Sequence, residues 1–348
     1  MDYNEMGRTG VKVSNFCLGT MTFGTQTSEA EGHAQMDFSL SNGINFFDTA
    51  EMYPVNPISA ETIGRTEEIL GTWNAKNQSK RGEYILATKH SGEGMQHVRK
   101  GAPISSETIG TTIEENLRRL QTDYIDLYQF HWPNRGSYMF RKNWDYEPTN
   151  LKGDAVRADL LDCLEALQVQ VEKGNIRYFG LSNESAWGTS QWLRLSEDYG
   201  LPRVATIQNE YSLLCRLYDT DLAELSIAED VGLIAFSPLA AGLLSGKYQN
   251  GVVPDGSRKS IGPDLGGRAT ERVWPAVDAY LAIAQKYGLD PVHMALAWSV
   301  TRPFVCSAIF GATTISQLEH ILKASDVTLS QECLYDISQV HRAHPMPY

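Results

Sequence analysis

The sequence predicts an α/β protein in which eight parallel strands form a (β/α)8 TIM barrel. A short N-terminal β-hairpin precedes it, and long loops follow the carboxyl ends of the strands. Apolar segments alternate with helical segments, and eight such units can be counted. Three successive apolar segments end in polar, chemically capable side chains, namely Asp48, Lys89 and His131. The length of 348 residues suits one barrel with insertions, so we expect a single domain over residues 1–348.

The composition limits the partners and the compartment that we expect. The formal net charge of −12 argues against nucleic acid as a partner. No apolar run is long enough to span a membrane, and the polar N-terminus does not resemble a signal peptide. Five cysteines without paired spacing are typical of reduced thiols, so we expect a cytoplasmic protein. We predict no metal, because the pair His341 and His344 is only a weak signal.

The first part of the chain predicts the hairpin and the first four barrel strands. Gly7 and Gly10 bracket a polar turn within residues 3–14, as expected for a hairpin. Short apolar runs predict barrel strands at residues 16–18, 44–47, 84–88 and 124–130. Apolar residues at helical spacing predict helices at residues 28–41, 61–73 and 105–120.

The second part continues the alternation, with two interruptions. Strands are expected at residues 176–183, 204–209, 232–236 and 305–310. Helices are expected at residues 159–172, 186–199, 220–229, 270–287, 291–300, around Gln317, and at 330–341. Residues 134–155 have no period and several aromatic side chains, which indicates either a lid or pocket wall, or a loop packed on itself. Residues 251–267 are rich in glycine and proline.

The carboxyl ends of the strands carry the candidate chemistry. In a parallel barrel these ends open on one face, so Asp48, Lys89 and His131 should share a site. Tyr53 follows Asp48 by five positions and should face the same pocket. Tyrosine is a poor acid, with a pKa of about 10, and a cation such as Lys89 would make it a usable proton donor. Considered alone, Asp48 could instead be a helix cap and Tyr53 a surface aromatic.

The glycine-rich segments do not match nucleotide-binding motifs of other folds. Residues 242–247 read GLLSGK, with three residues between the glycines where a P-loop has four. Tyr248 also stands where a P-loop requires Ser or Thr. No G-x-G-x-x-G segment follows a predicted strand, which disfavours a Rossmann domain.

Taken in order, the strand-end motifs resemble the aldo-keto reductase family over nearly the whole chain, from Gly7 to Gln339. The segments that carry the resemblance are LGTMTFG (18–24), DTAEMY (48–53), IRYFGLSN (176–183), QN (208–209), SPL (237–239) and GLLSGK (242–247). Within the family, the MTFG and AEMYP pieces are similar to bacterial Tas-type reductases and to potassium-channel beta subunits. The resemblance implies hydride transfer between NADPH/NADP+ and an aldehyde or ketone, with no metal.

The resemblance implies a role for each of the four strand-end residues. Tyr53 would be the general acid that protonates the carbonyl oxygen during reduction. Lys89 would lower the pKa of Tyr53 and would itself pair with Asp48. His131 would orient the carbonyl group and help to polarise it. These roles agree with the general need for donors to converge where charge develops on oxygen.

The resemblance also implies a set of cofactor contacts. Ser182, Asn183 and Gln208 would hold the nicotinamide amide, and Tyr211 would stack beneath the ring. Near the first strands, the cofactor would contact Thr20, Met21 and Asp48. Its pyrophosphate would be held by Ser237, Leu239, Gly242 and Lys247. Its adenosine end would be bordered by Gly311, Thr313 and Gln317.

Two positions leave the choice of cofactor open. Arg258 matches the place where the channel subunits have a basic residue near the 2′-phosphate, but it could also be a solvated loop arginine. Many relatives have Glu-Asn where this chain has His320 and Ile321. The adenine contacts are therefore in doubt, and NADH remains possible.

The walls of the substrate pocket are expected to be aromatic. Tyr53 and His131 would contact the carbonyl group, and the walls would come from Met21, Phe23, Trp132, Phe140 and Trp144. Such a pocket suits a small or aromatic carbonyl compound. The physiological substrate and the oligomeric state are left open. Two other functions also remain open: a cofactor-binding sensor with slow turnover and a metal-free isomerase.

Overall fold

The computed structural model describes residues 1–348 and contains a closed barrel of eight parallel strands. A two-stranded antiparallel hairpin precedes it, formed by β1 (Tyr3–Glu5) and β2 (Lys12–Ser14). The barrel strands are β3 (Phe16–Gly19), β4 (Phe46–Asp48), β5 (Ile85–His90), β6 (Ile125–Phe130), β7 (Ile176–Ser182), β8 (Val204–Glu210), β9 (Gly232–Phe236) and β10 (Val305–Phe310). Each strand pairs with the next, and β10 pairs with β3. The predicted (β/α)8 barrel with its N-terminal hairpin is confirmed.

The helices surround the barrel and follow the predicted order. They are α1 (Glu29–Ser41), α2 (Arg65–Lys76), α3 (Ser106–Leu120), α4 (Gly153–Glu172), α5 (Ala186–Tyr199), α6 (Asp221–Glu229), α7 (Arg258–Ile261), α8 (Val273–Lys286), α9 (Pro291–Val300), α10 (Ile315–Leu322) and α11 (Gln331–Ala343). None of them combines the length and the apolar character needed to cross a membrane.

Three helices differ from the sequence-based expectation, and the first of them, expected at residues 61–73, spans Arg65–Lys76. The helix expected to begin at Asp159 begins instead at Gly153, where Arg157 pairs with Asp154 one turn earlier. This pair stabilises a first turn that apolar periodicity cannot detect. The glycine- and proline-rich segment contains the one-turn helix α7, which begins directly after Ser257.

The hydrophobic core has two layers. A large cluster lies between the strands and the outer helices. A smaller cluster fills the barrel interior and includes Cys17, Phe46, Leu127 and Ile234. Val13 of the hairpin packs against this inner cluster, so the hairpin covers the amino end of the barrel. The polar side chains of the predicted site lie at the carboxyl end of the barrel, where the loops meet.

Candidate active site

A buried ion pair forms the base of the site. Asp48 is the last residue of β4, and Lys89 lies one residue before the end of β5. Lys89 Nζ is 2.5 Å from Asp48 Oδ2 and donates a second hydrogen bond of 2.8 Å to the carbonyl of Thr49. Burial is the largest single influence and disfavours the ammonium, but the Asp48 carboxylate together with smaller contributions from its neighbours raises the pKa of Lys89 above its usual value. Lys89 is therefore a permanent cation.

Two amides fix the Asp48 carboxylate. Asp48 Oδ1 accepts hydrogen bonds of 2.8 Å from Gln208 Nε2 and 3.2 Å from Gln129 Nε2. Gln129 was not among the predicted site residues. Its position could have been found from strand alternation, because Leu127 and Gln129 in β6 point to the same side. The donors on both carboxylate oxygens hold the ion pair in one orientation.

Tyr53 lies in the loop after β4, above the ion pair. The centre of the Tyr53 ring is 5.0 Å from Lys89 Nζ and 5.7 Å from the centre of the His131 ring. Burial raises the pKa of Tyr53, and the Lys89 charge offsets only part of this effect. The expected lowering of the Tyr53 pKa is thus not found, because desolvation outweighs the cation. The phenol remains protonated at neutral pH and is available as a proton donor.

His131 follows β6 and faces the Tyr53 ring edge-on. It is 8% exposed, and its Nδ1 has no hydrogen-bond partner. Burial, and then the Lys89 charge, lower the pKa of His131 well below its usual value. The imidazole is therefore neutral. A neutral ring can donate one hydrogen bond to an oxygen in the pocket without adding a second buried charge.

Three polar residues at the ends of β7 and β8 form an adjacent group. Ser182 Oγ donates to the Gln208 carbonyl at 2.8 Å, and Asn183 Nδ2 donates to the His131 carbonyl at 2.9 Å. Asn183 Oδ1 is buried and has no partner. An unpaired buried acceptor is costly, so this atom fits the amide N–H of a bound nicotinamide group.

The structure corrects the assignment of Tyr211. Its ring is fully buried outside the barrel, stacked on Trp298 at 5.3 Å, and its hydroxyl donates to Asp219 at 2.6 Å. Because Gln208 points inward, alternation along the strand turns Tyr211 outward. Phe236, the last residue of β9, packs on the inner cluster and remains partly exposed. It offers the aromatic face that was expected from Tyr211.

A cation lies close to the mouth of the site. Arg258 Nη2 is 3.9 Å from the sulfur of Met21, and no carboxylate pairs with Arg258. Partial burial, and then the charge of Arg268, lower the pKa of Arg258. An unpaired, partly buried guanidinium favours an anionic ligand. Thr20, beside Met21, donates its Oγ1 to the Asp48 carbonyl at 2.9 Å, which ties this loop to β4.

The loop after β9 has a backbone shape that requires glycine. Gly242 has φ +92°, and a Cβ there would lie 2.8 Å from Cε of Lys247. A side chain at position 242 would be strained at this φ and would push the end of the Lys247 side chain aside. Ser237 (φ 54°) and the partly exposed Leu239 belong to the same loop. An exposed lysine beside close-lying backbone fits a phosphate group.

The loop after β10 brings together two of its three predicted residues. Gln317 Oε1 accepts hydrogen bonds from Thr313 N at 2.9 Å and from Thr313 Oγ1 at 3.1 Å, while Gly311 is exposed. Ile321 is buried in the core and cannot replace a polar contact. His320 turns toward Asp290, with Nε2 3.3 Å from Oδ2. The two side chains that replace Glu-Asn therefore both have other partners.

Some of the residues predicted to form the walls of the substrate pocket lie near the site, and one does not. Trp132 packs beside His131, with ring centres 5.0 Å apart, and Phe140 lies 6.3 Å beyond it. Trp144 is 48% exposed at the rim, with Arg272 4.4 Å from its ring. Phe23 is a correction: it is fully buried and packs on the α1 helix, so it does not line the pocket.

A charged cluster at the end of β8 was also missed. Glu210 is 8% exposed and accepts from Arg141 Nη1 at 2.6 Å, Arg268 Nε at 2.7 Å and the Tyr348 hydroxyl at 3.1 Å. These partners come from the loop after β6, the loop before α8 and the C-terminal segment. Glu210 therefore joins three segments at the mouth of the barrel.

Comparisons with known proteins show the family to which the chain belongs. The profile of the "Aldo/keto reductase family" matches residues 15–342. "Protein tas" of Escherichia coli (strain K12) is 43% identical, over 100% of this chain and 99% of its own. The "uncharacterized oxidoreductase YrpG" of Bacillus subtilis (strain 168) is 33% identical, over 98% of this chain and 96% of its own. A "probable voltage-gated potassium channel subunit beta" of Arabidopsis thaliana is 30% identical, over 99% and 98%.

Proposed function

The chain belongs to the aldo/keto reductase family and is an NAD(P)H-dependent oxidoreductase, and from this premise we propose that it reduces an aldehyde or ketone to an alcohol with NADPH. The observation that carries the proposal is the convergence of a protonated phenol, a neutral imidazole and a buried ammonium. Tyr53, His131 and Lys89 meet above Asp48 at the carboxyl face of the barrel.

Each of these side chains has a defined task in this proposal. When bound, the nicotinamide cofactor supplies the hydride. Tyr53 donates its proton to the carbonyl oxygen, and the Lys89 ammonium stabilises the phenolate that remains. His131 donates a hydrogen bond to the same oxygen and so fixes the orientation of the substrate. Asp48 keeps Lys89 in place, because its carboxylate is held by the two glutamine amides.

The charges around the site support a phosphorylated cofactor. Arg258 and Lys247 have no carboxylate partner, whereas Arg141 and Arg268 are paired with Glu210. Two free cations on a chain of net charge −12 favour local binding of an anion. The unpaired Asn183 Oδ1 suits the nicotinamide amide, and Phe236 offers a face for its ring. We therefore favour NADPH over NADH.

A second candidate function is a cofactor-binding subunit with slow turnover. It is favoured by the 30% identity to the plant protein named as a probable potassium channel subunit beta. The same site would then hold the nucleotide while the rate of hydride transfer remained low. We rank it second, because the proton-donating set is complete.

One pair of measurements tests the proposal. The protein is titrated with NADPH and, separately, with NADH while the cofactor fluorescence is followed. The fall in cofactor absorbance is then recorded with 4-nitrobenzaldehyde. Tight NADPH binding with steady turnover is the expected result. Tight binding without turnover on a broad carbonyl panel would favour the slow subunit, and failure to bind either nucleotide would refute both functions.

A further inference from the structure

Two histidines and one aspartate meet on the outer rim of the barrel, where the start of α9 approaches α10. Asp290 precedes α9, His293 lies in its first turn, and His320 lies in α10. One carboxylate oxygen and one nitrogen of each ring lie within 4.8 Å of one another. We propose that these three side chains bind a divalent transition-metal ion, and that Zn²⁺ is the ion the donor set favours.

The separations of the donor atoms are close to those of a zinc site. Zn²⁺ takes imidazole nitrogen and carboxylate oxygen at about 2.0–2.2 Å, which places tetrahedral ligands roughly 3.3 Å apart. His320 Nε2 and Asp290 Oδ2 are already 3.3 Å apart. The remaining distances, within 4.8 Å, need to shorten only by an amount that side-chain rotation supplies. Three protein ligands leave the fourth position to water.

Two of the three ligands are held by bonds outside the donor set. Asp290 Oδ1 accepts from the backbone N–H groups of Val292 at 2.8 Å and His293 at 3.2 Å, which leaves Oδ2 for an ion. His293 Nε2 is 2.7 Å from the His320 carbonyl oxygen. A carbonyl only accepts, so Nε2 carries the ring proton and Nδ1 carries the lone pair. Metal-bound histidines are commonly fixed by such a bond from the other ring nitrogen.

The cluster is accessible, and an ion pair alone does not account for it. The side chains of His320 and Asp290 are 45% and 35% exposed, so an ion can enter from solvent. An Asp290–His320 pair would explain those two residues. It leaves His293 Nδ1 without a protein partner, on a ring whose centre is 4.5 Å from that of the His320 ring. One divalent ion satisfies both rings and the carboxylate.

Calorimetry on the full-length protein tests the site directly. Chelator-treated protein is titrated with ZnCl₂ at slightly alkaline pH, because proton competition weakens metal binding at lower pH. We expect one ion per chain and a rise in the unfolding temperature, because the ion links α9 to α10. His293→Gln and His320→Gln should each weaken binding at least tenfold. His97→Gln, at an exposed position elsewhere, should leave it unchanged.

Two further measurements separate the site from a general loss of structure. Asp290→Asn keeps an oxygen that caps α9 while it removes the charge, so it should weaken Zn²⁺ binding without unfolding the helix. Titration with Co²⁺ should give a spectrum without thiolate charge-transfer bands. Absence of Zn²⁺ binding, binding that survives both histidine substitutions, or thiolate bands would each overturn the proposal.

Discussion

At the scale of single residues, the proposed active site depends on a buried charge that its neighbours stabilise. Lys89 is fully buried, yet the Asp48 carboxylate and the Thr49 carbonyl accept from its ammonium. Truncation of Lys89 or Asp48 would leave the partner charged and unpaired, at a cost of several kcal/mol of stability. Such a variant would confuse loss of folding with loss of chemistry. Tyr53 is a better test, because only its hydroxyl has to be removed.

We predict that Tyr53→Phe lowers kcat for carbonyl reduction by about 10²–10⁴-fold, the usual contribution of a positioned general acid. NADPH affinity should change little, because the Phe ring keeps its contact with His131. Steady-state kinetics and a fluorescence titration measure the two quantities. Tyr178→Phe, which removes a phenol whose only hydrogen bond is a long one to Thr9 in the hairpin, is the control and should retain turnover. Near-normal kcat in Tyr53→Phe would refute the general-acid role.

A second residue-scale prediction separates Phe236 from Tyr211. If Phe236 supports the nicotinamide ring, Phe236→Ala should raise the Kd for NADPH by roughly 5–150-fold, the usual effect of losing an aromatic stacking partner. Tyr211→Leu, which removes the other candidate ring, should leave the Kd unchanged and lower only the unfolding temperature, because it removes the stacking on Trp298 and the bond to Asp219. Fluorescence titration of both variants decides between the positions. A larger increase in Kd from Tyr211→Leu would restore the sequence-based assignment.

At the scale of elements, the loops are connected to the barrel by a few strong contacts. Glu210 receives hydrogen bonds from Arg141 and Arg268, which lie on two different loops. The loop of Arg268 also carries α7 with Arg258, the free cation at the mouth of the site. Loss of the Glu210 contacts should therefore displace Arg258 and weaken cofactor binding, although the catalytic side chains are unchanged.

We predict that Glu210→Gln raises the Kd for NADPH several-fold and increases proteolytic cleavage within residues 251–272. The variant leaves the buried Arg268 and the partly buried Arg141 without a counter-charge, and removal of one partner of a buried pair typically costs about 3–5 kcal/mol. Glu229→Gln removes the partner of Arg203 at a more exposed position and should have little effect. Equal cleavage rates in the two variants would argue against the connection through Glu210.

At the scale of the whole molecule, the sequence correctly predicted the features that follow from the periodicity of apolar residues. The barrel followed from alternating segments, and the meeting of Asp48, Lys89 and His131 followed from the shared orientation of parallel strands. The direction of Tyr211 was misjudged, although alternation from Gln208 would have corrected it. The burial of Phe23 depends on a loop conformation, and Arg268 contacts Glu210 across 58 residues of chain. Neither has a local signal in the sequence.

The pH dependence of stability is a property of the whole chain that one buried histidine should influence. His90 is fully buried beside Arg99, with Glu51 3.9 Å from its Nδ1. Burial, and then the Arg99 charge, lower the pKa of His90 to about 3. The unfolded chain binds this proton below about pH 6.5, whereas the folded chain binds it only near pH 3. The binding of this proton by the unfolded chain therefore has no effect on stability at neutral pH. As the pH falls, it destabilises the folded state increasingly.

We predict that this effect costs about 2 kcal/mol at pH 5, or about 3 °C in the unfolding temperature of a chain of this length. His90→Gln cannot take up the proton, so its unfolding temperature should fall less than that of the parent between pH 7 and pH 5. The measurement is calorimetric unfolding of both proteins across that range. His97→Gln, at an exposed loop position, should follow the parent curve. If His90→Gln also follows the parent curve, the acid sensitivity arises from other groups.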